Sequence, residues 1–344
     1  LSNVTKMVEN TMKSVALHNL GCKVNAYEFE VMQQNLQESG FKIVPFDSEA
    51  DIYIVNTCTV TNIADRKSRQ MLHRAKHLNP DAVVVAVGCY VQTGAGKIED
   101  DSCIDLAIGN NRKKEIVDIL NAFLKEREEG KGTGRAGDII DISKTTEYEE
   151  MKLERTAEHT RAYIKVQDGC NQFCSYCIIP FARGRVRSRR KEDVLEEVRG
   201  LAKKGYREVV LTGIHLSSYG MDFLGETKGD YLKGTGDLRQ EAMDRGFLLA
   251  LIEAIAGIDG IARIRLGSLE PRIITEAFAQ RLATAGKVCP HFHLSLQSGC
   301  DETLKRMNRH YTAGEYYEKV KILRRFFENP AITTDVIVGF PRET

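Results

Sequence analysis

No stretch of this chain approaches the ~20 consecutive apolar residues that a membrane-spanning helix requires. Residues 1–13 lack the apolar core of a secretory signal. The two signs of charge nearly cancel, leaving +1 over 344 residues. A chain-wide attraction to nucleic acid is thereby excluded, so any basic surface must be local. Prolines number only 7, and 42% of residues are hydrophobic, an ordinary globular composition. The expected setting is the cytoplasm, without a membrane partner. The length suggests two domains.

Cysteine is plentiful by contrast, with nine residues, an odd number. In a chain read as intracellular this points to metal or redox chemistry before disulfides. Three lie in the run Asp168-Gly-Cys-Asn-Gln-Phe-Cys-Ser-Tyr-Cys-Ile-Ile-Pro180. Cys170, Cys174 and Cys177 thus have the spacing Cys-x3-Cys-x2-Cys. Soft thiolates suit iron–sulfur chemistry, and a cubane normally takes four of them. Three thiolates in one loop would cap three irons and leave the fourth open to a substrate or cofactor. The competing reading is a zinc knuckle. Zinc sites usually add a second cysteine pair or histidines downstream, and none follows here.

Residues 14–127 alternate between strand and helix patterns. Strands are expected at 14–20, 41–46, 51–56, 82–87 and 106–108, and helices at 27–39, 64–78 and 113–125. Continuous runs such as Ala-Val-Val-Val-Ala-Val suggest strands buried on both faces of a parallel sheet. The fold class is therefore α/β, with a doubly wound N-terminal domain. Cys22, Cys58 and Cys89 each follow a predicted strand. The carboxyl edge of such a sheet is where ligands bind, so these three make a second candidate cluster site. The plainer alternative is three small buried core residues. Cys103, Cys289 and Cys300 have no such placement and read as bystanders.

Residues 128–160, broken by glycines, read as a linker. A new βα series occupies 161–344, with strands at 161–167, 208–213, 261–266, 292–297 and 332–339. Helices are expected at 192–204, 247–256, 273–285 and 316–328. Five such units suggest an incomplete parallel barrel whose active site lies at its carboxyl mouth. The polar stretch 217–246, with six glycines, reads as a loop at that mouth. A sixth strand and a later module are expected beyond Thr344, which makes the chain read as truncated.

With its cysteines split three and three, the chain resembles the methylthiotransferases of the radical S-adenosylmethionine superfamily. The motifs are Asn19-Leu-Gly-Cys-Lys-Val-Asn25, Asn56-Thr-Cys-Thr-Val60, Gly88-Cys-Tyr90, the Cys170–Cys177 loop, Ala182-Arg-Gly184, Arg187-Ser-Arg189, Leu296-Gln-Ser-Gly299, Lys305-Arg-Met-Asn-Arg309 and Asp335-Val-Ile-Val-Gly-Phe-Pro341. The resemblance implies two 4Fe-4S clusters and S-adenosylmethionine as cofactors. It also implies an external low-potential electron donor, a sulfur donor the sequence does not name, and a C-terminal RNA-binding module. Barrel strand ends become candidates for holding S-adenosylmethionine: Thr212, Gly213, Ser268, Glu270, Gln297 and Val338, with Tyr176 inside the cysteine loop. Strand capping or turn chemistry is the plain alternative for each. His215 is a weaker candidate ligand, since a lone histidine is more often just hydrogen-bonded. Arg342 stands where a glycine is usual, and Cys300 where a small polar residue is common.

Gly-Cys-Lys-Val-Asn-x-Tyr-Glu at 21–28 is similar to the subgroup that modifies threonylcarbamoyladenosine in tRNA. Lys23 would then pair with the carboxylate of the threonyl group. Arg183, Arg185, Arg187 and Arg189 would contact RNA phosphates, although a charge run is often only a solvated face. Competing functions are methylthiolation of isopentenyladenosine tRNA or of a ribosomal protein side chain, and a non-catalytic iron–sulfur carrier.

Overall fold

A computed structural model describes residues 12–94, 96, 98, 100–130, 136–156, 161–224 and 244–344. Most of the polar stretch 217–246 and parts of the 128–160 segment lie outside these residues. In the first half, β1 (Ser14–Asn19) leads to α1 (Lys23–Glu38), followed by β2 (Lys42–Val44) and β3 (Ile52–Thr57). Then come α2 (Asn62–Leu78), β4 (Val83–Gly88), α3 (Cys89–Thr93), β5 (Leu106–Ile108), α4 (Ile116–Glu128) and β6 (Ala136–Asp138).

These six strands form one sheet in the order β2-β1-β3-β4-β5-β6, all parallel. β3 and β4 are buried at every position, as their unbroken apolar runs predict. The order reverses between β1 and β3, which creates a crevice at their carboxyl ends. The expected doubly wound sheet is present. The segment read as a linker also contributes β6 as its edge strand, and buries Glu149, Met151 and Leu153.

α1 begins four residues earlier than the pattern suggested, with Cys22 at its N-cap position. Its apolar residues Tyr27, Val31, Met32 and Leu36 join a core shared with the first sheet. That core also includes Tyr163 and Val210 from the second half. Asn25, Glu28, Glu30 and Gln34 on α1 are buried too. A helix with so many buried polar groups does not read as amphipathic, because both of its sides meet protein.

The second half contains β7 (Ala162–Asp168), α5 (Ile179–Ala182), β8 (Arg187–Ser188), α6 (Lys191–Lys203), β9 (Glu208–Gly213), α7 (Phe247–Ala256) and β10 (Arg263–Leu266). It continues with α8 (Glu276–Thr284), β11 (His291–His293), α9 (Asp301–Arg306), α10 (Ala313–Phe326) and β12 (Ala331–Thr333). β7, β9 and β10 are parallel neighbours, with β8 antiparallel on the outer edge of β7. β11 and β12 are also parallel, and isolated parallel bridges join 264 to 288 and 269 to 294. Five strands therefore run one way in an open barrel. Ile164, Val166 and Leu211 pack outward against apolar residues of α6, α7 and α8.

Candidate active site

β7 delivers the Cys170–Cys177 loop. Gly169, at φ +69°, makes the turn between them. A Cβ there would lie 1.8 Å from the carbonyl oxygen of Arg185. The next residue fixes the loop, with Cys170 N–H donating to Gly184 O at 3.0 Å. Gly169→Ala combines a left-handed backbone, costing about 1–3 kcal/mol, with a backbone clash. We expect this variant to lose the iron of the barrel loop, which an iron count after anaerobic reconstitution will measure.

Cys170 and Cys174 are buried and Cys177 is half-buried. Gln172 N–H points at Cys170 Sγ (3.5 Å), and an Arg309 N–H at Cys174 Sγ (3.3 Å). Burial pushes the Cys177 thiol up, against the lowering effect of Ile179 N–H. Loading a metal there must release a proton.

The other triad sits on the crevice of the first sheet. Cys22 follows β1, Cys58 follows β3, and Cys89 follows β4. Gly21 (φ +108°) brings this loop so close that a Cβ would lie 3.1 Å from Cys58 Sγ. Burial raises the Cys58 thiol, against lowering by Val60 N–H, and Cys89 and Cys22 raise it further. The structure therefore brings the three together. Among the described residues, the ligand atoms drawn within 4.8 Å of one another are those of His73, Asp101 and Cys103. Neither cysteine triad is drawn that tightly. Both are spaced more widely than one zinc ion, with bonds of about 2.3 Å, would hold them.

The two loops meet through a buried ionic network. Arg183, one residue past α5, donates to Glu28 Oε1 (2.6 Å) and Oε2 (3.0 Å), to Asp168 Oδ2 (3.2 Å), and to Asn25 Oδ1. Lys113 reaches Glu28 at 2.5 Å. Lys165 reaches Glu28 at 2.6 Å and Asp168 at 2.7 Å. Arg187 stands 3.8 Å from Asp168. Burial works against charge on Glu28, but Arg183, Lys113 and Lys165 hold its carboxyl well below the usual range. The same opposition, with Lys165 foremost among the cations, brings Asp168 down to about 2. Asn110 bridges the halves again, donating to Ala182 O (2.7 Å) and toward Cys89 Sγ (3.5 Å).

Four cations, Lys113, Lys165, Arg183 and Arg187, thus surround Glu28 and Asp168, with Glu149 close to Lys165 and Lys113 and Asp222 close to Arg187. The Nε atoms of Arg183 and Arg187 are buried without a hydrogen-bond acceptor. Buried cations between thiol-rich loops suit anionic thiolate-bound clusters. By donor set, both triads suit iron–sulfur clusters better than a single zinc ion.

The arginine expectation needs correction. Arg183, Arg187 and Arg189 are each at most 1% exposed. Arg189 is held by Glu197 and Glu150. Charges neutralised inside the protein cannot meet RNA phosphates. Arg185 is half-buried, stacked 4.4 Å over the Phe173 ring. Lys23 is exposed beside Cys22; burial, Arg161 and Arg265 lower its pKa, against Cys22.

The candidate cofactor residues lie at the barrel's carboxyl edge. Thr212 is buried, and Gly213 packs on Gln167, where a Cβ would meet Gln167 Oε1 at 2.9 Å. Ser268 is exposed, just past β10. Glu270 is buried and accepts from Arg272 at 2.6 Å. Gln297 (φ +70°) bridges to Val336. Val338 is 83% exposed, five residues past β12, rather than on the longer strand expected at 332–339. Tyr176 meets Phe340 edge-on at 6.3 Å, so the cysteine loop touches the segment following β12. His215 is hydrogen-bonded, its N–H to Gln167 Oε1 (2.7 Å) and Nδ1 with Ser218 Oγ (2.7 Å).

Sequence reasoning missed Glu28, Asn110, Lys113 and Arg309. Only Glu28 and Arg309 fell within quoted motifs, and nothing in the motifs revealed partners more than a hundred residues away.

Residues 14–109 match the family described as Uncharacterized protein family UPF0004. Residues 164–344 match the radical SAM superfamily. The chain is 38% identical over 333 residues to the threonylcarbamoyladenosine tRNA methylthiotransferase MtaB of Bacillus subtilis, covering 97% of this chain and 68% of that protein. It is 34% identical to a tRNA-2-methylthio-N(6)-dimethylallyladenosine synthase of Staphylococcus haemolyticus, covering 96% and 60%. In fold it is similar to the radical S-adenosylmethionine methyltransferase TsrM of Kitasatospora setae, with TM-score 0.56 and 18% identity, over 94% of this chain and 69% of that one.

Proposed function

Because the chain belongs to the radical S-adenosylmethionine methylthiotransferases, we propose that it adds a methylthio group to threonylcarbamoyladenosine in tRNA. The observation that carries this is Arg183. It leaves the barrel cysteine loop and grips Asn25 and Glu28 on the helix that Cys22 begins. The two cysteine loops are thereby held as one site, which an electron carrier does not need.

When bound, the barrel cluster supplies the low-potential electron that splits S-adenosylmethionine to a deoxyadenosyl radical. Cys170, Cys174 and Cys177 would hold that cluster, and Cys22, Cys58 and Cys89 a second one for the sulfur step. Thr212, Gly213, Ser268, Glu270 and Gln297 are proposed to orient S-adenosylmethionine from the strand ends. Tyr176 and Val338 would flank it with apolar surface and exclude water. The domain boundaries in this reading are 14–127 and 161–344, joined by 128–160. The reading also calls for an external low-potential reductant and a sulfur donor, and sets the reaction in the cytoplasm.

Lys23 supports the choice of base. Its ammonium follows Cys22 directly, has no ion-pair partner among the described residues, and would meet the carboxylate of the threonylcarbamoyl group, which a dimethylallyl group lacks. A contact of this kind contributes about 1.5–3 kcal/mol. Reconstituted enzyme is to be offered tRNAs carrying either modification, with nucleosides analysed by mass spectrometry. Methylthiolation of the threonylcarbamoyl nucleoside is expected, with kcat/KM reduced about tenfold or more in Lys23→Ala. Product from dimethylallyladenosine alone would refute the substrate and leave the reaction class standing.

A further inference from the structure

The turn after α9 grips the barrel cysteine loop from the far side of the chain. Asn308, in a left-handed conformation (φ 57°), donates to Gln172 O (3.1 Å) and Phe173 O (3.0 Å). Ser175 N–H donates to Met307 O (3.2 Å), and Ser175 Oγ to Arg306 O (2.8 Å). Every residue from Gln172 to Ser175 except Cys174 is therefore tied by oxygen acceptors to residues 306–308. Cys174 receives Arg309 instead, whose Nη1 lies 3.3 Å from Sγ.

Arg309 is itself aimed. Its Nε donates to Tyr311 Oη at 2.9 Å, and its guanidinium lies 4.9 Å from the centre of the Tyr311 ring. The Tyr311 hydroxyl donates to Ser295 O and Leu296 O, just past β11. Tyr311 is buried, so this strut has little room to move. A planar cation held on both its edge and its face is set for a single direction.

We propose that Arg309 is a positioning residue that acts through Cys174. Its N–H···S contact holds the thiolate in the cluster loop and raises the reduction potential of the cluster bound there. The reduced cluster carries one more negative charge than the oxidised one. A fixed cation and a hydrogen bond at a ligand sulfur stabilise that reduced form more. The electron still comes from the external reductant; Arg309 shifts only how readily it is accepted. The effect falls on the barrel loop, and the described contacts of Arg309 do not include Cys22, Cys58 or Cys89.

The test is a potentiometric titration of the reconstituted chain followed by electron paramagnetic resonance. The background carries Cys22→Ala, Cys58→Ala and Cys89→Ala, so that signal from the N-terminal cysteines is removed. Arg309→Leu is expected to keep iron in the barrel loop and to disfavour reduction about tenfold, a fall of about 59 mV for one electron. Arg309→Lys, which keeps the charge without the planar fork, should recover part of that shift. An Arg309→Leu midpoint equal to the parent's, with iron retained, overturns the proposal. If Arg309→Leu cannot hold iron, Tyr311→Phe decides. It leaves the cation but removes its hydroxyl tie, and the midpoint must fall; an unchanged midpoint in that variant also overturns the proposal.

Discussion

Alanine at Cys170, Cys174 and Cys177 is expected to abolish deoxyadenosine formation from S-adenosylmethionine and to remove the iron of the barrel loop. No other described group near the loop replaces a thiolate. Gln172 and Arg309 only donate to the sulfurs, and Tyr176 is turned onto Phe340. Soft ligands are what an iron–sulfur cluster requires, and oxygen or nitrogen donors substitute poorly. Alanine at Cys22, Cys58 and Cys89 should behave differently. Those residues lie on the first sheet, so deoxyadenosine should still form while methylthiolated nucleoside disappears. The measurements are iron and sulfide content, deoxyadenosine by chromatography, and nucleoside mass spectrometry. Full iron content in the first triple variant would contradict the assignment of the barrel loop. Loss of deoxyadenosine in the second variant, with barrel iron intact, would contradict the division of labour.

Much of this was legible in the sequence, for physical reasons. Runs such as Val83–Gly88 can only be central parallel strands, so the first sheet and the edge carrying Cys22, Cys58 and Cys89 followed directly. Barrel strands β7, β9 and β10 also lie near their predicted places, while the fourth and fifth are only three residues each, His291–His293 and Ala331–Thr333, not the longer runs expected at 292–297 and 332–339. Charge was misread. Arg183, Arg187 and Arg189 form a dense run without acids, and a dense run normally faces water. Their counter-charges come from Glu28, Asp168, Glu150 and Glu197, all four of which lie outside the run on other segments of the chain. α1 starts earlier than the sequence pattern suggested, because its opening turns carry buried polar residues, Asn25 and Glu28, rather than an apolar stripe. Their partners include Lys113, Lys165 and Arg183. The edge strand Ala136–Asp138 was missed because three residues with a glycine carry no periodic signal.

The ionic network makes Glu28 the residue whose neutralisation should cost most stability. It accepts from Lys113, Lys165 and Arg183, all buried. Lys113 has no other ion-pair partner among the described residues, so Glu28→Gln strands it. Removing one partner from a buried ion pair costs about 3–5 kcal/mol, because an uncompensated charge remains. The loss should appear as a lower urea midpoint for the whole chain. Adding Lys113→Met to Glu28→Gln removes the stranded charge and should restore part of the stability, a coupling that a double-mutant cycle measures. Strict additivity of the two changes would show that the pair does not interact. Acid provides an independent check. The folded-state values of Glu28 and Asp168 are depressed, to about 2 for Asp168. Their stabilisation is therefore fully present above the unfolded carboxyl values near ~4 and is lost as pH falls toward ~2. Between pH ~5 and ~3 the parent should lose more stability than Glu28→Gln does, since the variant has one depressed carboxyl fewer. Equal losses would mean that Glu28 is not ionised in the folded protein, and the network would have to be redrawn around Asp168.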